Sequence, residues 1–65
     1  MENRLRKLRR IKGFTQFRLA QKAKVSRSVI ARFETGRTEL SVESLVKIAD
    51  ALGVPVDDLI DRRAG

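Results

Sequence analysis

The sequence predicts an all-α domain of five short helices around one core, on three observations. Apolar residues recur at spacings of three and four, and nowhere do they alternate strictly as in a strand. Ser and Thr stand where helices would start, and glycines where they would stop. The 65 residues include neither cysteine nor histidine, so no disulfide or zinc ligand set can staple a chain that buries only about 60% of its unfolded surface. Stability must come from tightly packed helices.

Leu5, Leu8 and Ile11 repeat every three residues on an otherwise charged segment, which predicts an amphipathic helix over 2–12, closed by Gly13. Thr15 is the N-cap of a short second helix whose apolar stripe is Leu19, Ala20 and Ala23. Only Lys24 and Val25 separate it from Ser26, the cap of a third helix, which turns Val29, Ile30 and Phe33 inward and stops before Gly36. Ser41 caps a fourth helix in which Leu45, Ile48, Ala49 and Leu52 follow the i, i+3, i+4, i+7 pattern, with Gly53 at its end. Pro55 opens a fifth helix, where Asp57 and Asp58 suit the N-terminal dipole and Val56, Leu59 and Ile60 face inward. Asp61 and the tail 62–65 are expected to fray. No linker, repeat or low-complexity stretch interrupts the chain, so residues 1–65 read as one domain.

Composition narrows the function classes. Histidine and cysteine, the commonest general base and thiol nucleophile, are both missing, and the four glycines are too scattered for a phosphate loop. No catalytic, cofactor-binding or metal-binding residue is therefore expected. No apolar run approaches 18 residues and no signal peptide is recognisable, which predicts a soluble cytoplasmic protein. The net charge of +7 is unevenly distributed: residues 1–37 carry twelve basic against two acidic side chains, residues 38–65 three against six. Such asymmetry, spread over helices rather than confined to a tail, suits a surface that meets a polyanion.

Two short helices meeting at a tight turn, Thr15 through Gly36, form the most informative stretch. A helix-turn-helix needs small residues where its helices cross, an apolar residue in the turn, and a second helix with one face free to enter a major groove. Ala20, Val25 and Ile30 meet the first demands, and Arg27, Ser28, Ala31 and Arg32 the last. The chain resembles the Xre/Cro-type helix-turn-helix repressors in Leu8-Arg9, Thr15-Gln16, Leu19-Ala20, Lys24-Val25-Ser26, Ile30, Glu34-Thr35-Gly36 and Ala51-Leu52-Gly53-Val54, all in register. That resemblance implies a lambda-repressor-like fold with the helix-turn-helix at helices two and three.

It also implies roles. Arg27, Ser28 and Arg32 would reach base edges, arginine being the natural bidentate partner of guanine, and Val29 a thymine methyl. Gln16, Ser26, Thr35 and Arg37, with the backbone around Gly36, would hold phosphates. Arg9 and Glu34 would form an ion pair tying the first helix to the end of the third. Arg6, Lys7, Arg10, Lys22 and Lys24 read as general surface charge. Lys24 stands where the family has glycine, which demands positive φ of a lysine or a relaxed turn. Phe17 and Arg18 occupy exposed positions, and Pro55 replaces the usual polar cap of the last helix.

The expected function is sequence-specific binding of double-stranded DNA, most simply as a repressor that occupies a pseudo-palindromic operator on the nucleoid as a homodimer. The apolar residues Val54, Val56, Leu59 and Ile60 are candidates for the dimer surface, although core packing accounts for most of them. The rival reading is an antitoxin-like module that keeps the fold and binds a protein partner; an enzyme is the third and poorest, and membrane-surface binding also fits a basic amphipathic first helix, although that helix is short and lacks aromatic anchors.

Overall fold

The computed structural model describes residues 2–37 and 40–61, with the side chains of Glu2, Asn3 and Asp61 left aside. Four helices carry the fold: α1 (Leu5–Ile11), α2 (Gln16–Ala23), α3 (Arg27–Glu34) and α4 (Val42–Leu52). Three of them start on the residues expected to cap them. Thr15 accepts from Arg18 N at 3.0 Å, Ser26 from Val29 N at 3.2 Å and Ser41 from Ser44 N at 3.2 Å, each satisfying a donor that the helix itself leaves orphaned. α4 ends where Gly53 turns left-handed at φ 72°, and Gly53 N and Val54 N return to carbonyls of α4.

Both ends of the chain depart from expectation. α1 begins at Leu5 because Glu2–Asn3 (β1) pairs antiparallel with Ile60–Asp61 (β2), Glu2 opposite Asp61 and Asn3 opposite Ile60. Arg4 N then donates to Leu59 O at 2.7 Å. Asp61 is thus held by the ladder rather than frayed, and 62–65 lie outside the described residues. The fifth helix is not formed. Val56–Asp58 makes one 3₁₀ turn, with Asp58 N donating to Pro55 O and Leu59 N to Val56 O, after which the backbone extends to close against Arg4 and β1.

The helices enclose one core. Leu5, Leu19, Ile30, Ile48 and Leu59 are its fully buried large side chains, one from each α-helix and one from the segment after the 3₁₀ turn, each worth about 2 kcal/mol of burial. Leu59 and Ile60 are buried and Val54 and Val56 pack against the same cluster, so the core absorbs the apolar residues that were candidates for a dimer surface. Ile11, expected to face inward, is 66% exposed. A spacing of three drifts backward by about 60° per step on a helix of 3.6 residues per turn, so Ile11 has rotated well away from Leu5. Arg9, at i+4 from Leu5, takes the inward position instead and is 9% exposed. Among the described residues, no helix is long and apolar enough to cross a membrane.

Candidate nucleic-acid interface

α2 and α3 meet across Lys24, Val25 and Ser26. Lys24 adopts φ 60°, ψ 42°, the left-handed conformation in which a Cβ costs about 1 kcal/mol. The strain closes α2, because Val25 N then donates to Ala20 O at 3.0 Å. Ser26 follows at once as the cap of α3. The turn keeps the expected positive φ with a lysine in place of glycine, and so leaves an exposed side chain at the corner.

α3 divides cleanly between core and solvent. Ile30 and Phe33 are buried and Val29 and Ala31 partly so, whereas Arg27, Ser28 and Arg32 are exposed. Eight residues at 1.5 Å each make a helix about 12 Å long, and its diameter matches a major groove about 12 Å wide. The free face bears two guanidinium groups and a hydroxyl, all hydrogen-bonding groups able to address base edges.

Behind α3, Glu34 organises the junction with α1 and α2. Its side chain has no exposed surface. Arg9 grips it in a fork, Nε to Oε2 at 2.5 Å and Nη2 to Oε1 at 3.2 Å, while Arg9 Nη1 donates to Phe14 O at 2.8 Å. Gln16 Nε2 donates to Oε1 at 3.0 Å, and Arg6 Nε stands 3.5 Å from the same oxygen. Burial pushes the Glu34 carboxyl upward, but hydrogen bonds from Arg9, Gln16 and Arg6 and the Arg9 charge outweigh it and hold the group below the ordinary carboxylate range.

The residues marked for phosphates are placed differently from one another. Gln16, at the first position of α2, commits one amide hydrogen to Glu34 and keeps a second. The Ser26 hydroxyl accepts the Val29 cap bond. The Thr35 hydroxyl donates to the carbonyls of Ala31 and Arg32. Thr35, Gly36 and Arg37 turn their backbone N–H groups onto Ala31, Phe33 and Arg32. Among the described residues of this loop the exposed Arg37 guanidinium is therefore the group left to reach outward. Arg6, read from sequence as general charge, and the Gln16–Glu34 bond were missed. A signal for Arg6 existed in its i, i+3 spacing from Arg9, which puts both guanidinium groups on neighbouring positions of α1.

Comparison with known proteins agrees with this geometry. A family model described as helix-turn-helix matches residues 5–59. The chain is 35% identical over 57 residues to the SPbeta prophage-derived uncharacterized HTH-type transcriptional regulator YonR of Bacillus subtilis, covering 88% of this chain and 53% of that protein. It is 37% identical over 57 residues to the immunity repressor protein of Bacillus phage phi105, covering 88% and 40%. The chain thus spans about half the length of these curated relatives, or less. Among solved structures, the restriction-modification controller protein C.AhdI from Aeromonas hydrophila superposes with a TM-score of 0.83 at 35% identity, covering 88% of this chain and 86% of that one.

Proposed function

The chain belongs to the helix-turn-helix family matched over residues 5–59, and from that premise we propose that it is a DNA-binding transcriptional regulator that represses by occupying an operator. The observation that carries the reading is the division of α3: its core duties lie wholly on one face, and Arg27, Ser28 and Arg32 stand exposed on the other. Arg27 and Arg32 read guanine O6 and N7, with Ser28 and Val29 completing the base contacts. Gln16 and Arg37 hold the backbone on either side, with the Ser26 hydroxyl, whose hydrogen the cap bond leaves free, at the start of α3, while Thr35, its hydrogen spent on Ala31 and Arg32, braces the loop that carries Arg37. Repression takes its support from the phage immunity repressor, to which the chain is similar. The protein works in the cytoplasm on the nucleoid, without catalysis.

One α3 of about 12 Å spans only a few base pairs, so useful specificity calls for two copies on half-sites about 34 Å apart. Selection from a random duplex library at about 150 mM salt tests this, because non-specific attraction is weakened there. An inverted repeat with half-site centres one helical turn apart is the expected product, and recovery of unenriched duplex would sink the reading. On the recovered site, Arg32→Ala is expected to relax preference at one or two base positions. Arg37→Ala is expected to weaken all sequences alike and flatten the salt slope by about 0.9. Uniform loss in both variants would refute the division of labour between them.

A further inference from the structure

We propose that Arg6, on α1 and outside the helix-turn-helix, is a DNA-backbone contact that works beside Gln16. The inference rests on the DNA-binding reading above and extends the protein's footprint to its first helix. Glu34 Oε1 lies 3.0 Å from Gln16 Nε2 and 3.5 Å from Arg6 Nε. Those two distances cap the separation of the donors at 6.5 Å. Groups this close can reach the two terminal oxygens of one phosphate, since each hydrogen bond spans about 2.9 Å.

Exposure and charge make the gathering point outward. The Glu34 side chain has no exposed surface, whereas that of Arg6 is 53% exposed. The carboxylate can therefore orient Arg6 without itself meeting an incoming anion. A guanidinium that spends one N–H on Glu34 keeps four, in the planar fork suited to phosphate oxygens. Two guanidinium groups against one carboxylate leave the cluster positive, and the first turn of α2, where Gln16 sits, carries no acidic residue. Arg10 shares α1 and its charge but not this geometry, because no bond ties it to Glu34 among the described contacts.

The test measures affinity for a duplex about two helical turns long between about 50 and 200 mM salt, for the natural chain and for Arg6→Ala, Arg6→Lys and Arg10→Ala, with a melting curve for each. The natural chain is expected to bind. Arg6→Ala should keep its melting temperature yet show a log–log salt slope shallower by about 0.9, losing roughly 3.5-fold less affinity than the natural chain over that range. Arg6→Lys, which retains the charge, and Arg10→Ala should keep the natural slope. An unchanged slope in Arg6→Ala overturns the inference and leaves the DNA-binding reading standing, even if that variant melts lower. Equal flattening in Arg10→Ala also overturns it, since the charge would then act from a distance. A natural chain that binds no duplex at any salt overturns the reading and this inference together.

Discussion

Glu34 shows how one side chain joins the fold to its surface. It holds Arg9, Gln16 and the half-exposed Arg6 at once, so removing its buried partner Arg9 acts on both the core and the start of α2. Arg9→Ala leaves a fully buried carboxylate with its weaker partners only, and is expected to cost about 3 kcal/mol, read as a lower urea midpoint. The pH dependence has a definite sign. The folded carboxyl lies below its ordinary value near 4.5, so its stabilisation is complete above that value and is lost as pH falls through the folded one. The urea midpoint of the natural chain should therefore drop on acidification below about pH 4.5, and drop less in Glu34→Gln. Parallel acid profiles for the two proteins would show that other carboxylates dominate. The Arg9–Glu34 pair was legible through the motif resemblance. The Gln16 bond was not, because no local periodicity links residues on different helices.

The three caps and the turn between α2 and α3 were the most legible elements, because each rests on a residue whose side chain or backbone has few alternatives. Thr15, Ser26 and Ser41 cap as expected. Lys24 takes the positive φ that its place in the motif demands. Among the described residues its exposed side chain has no hydrogen bond or ion pair that would offset the strain, so Lys24→Gly should raise stability by about 1 kcal/mol. For a domain of this size that is a rise in melting temperature of about 4–8 °C. No rise would mean that the flexibility glycine adds to the unfolded chain cancels the relief. The ends of the chain were illegible for two physical reasons. A two-residue ladder is too short to show alternation. Val56, Leu59 and Ile60 fit a helical spacing equally well when one 3₁₀ turn is followed by extended chain, and only the partner, β1 with Arg4, decides between the two.

At the scale of the whole molecule, that closure governs how much change the domain can bear. Stability of about 0.05–0.15 kcal/mol per residue leaves a chain of this length roughly 3–10 kcal/mol in all. Leu59 follows the 3₁₀ turn and is completely buried, touching the core from a segment whose carbonyl also anchors Arg4. Leu59→Ala removes that burial and leaves a cavity, for about 3 kcal/mol, a large share of the total. The variant should melt far below the natural chain, although Leu59 takes no part in the proposed interface. Because DNA binds the folded form, duplex at about 100 times its Kd should return about 2.7 kcal/mol and restore much of the lost melting temperature. Melting curves with and without duplex decide the matter. An unaltered curve without DNA would mean that the closing segment unfolds independently of the four helices. A lowered curve that duplex does not raise would mean that the loss reaches the binding surface itself, through α1 and the Glu34 junction that α1 supports.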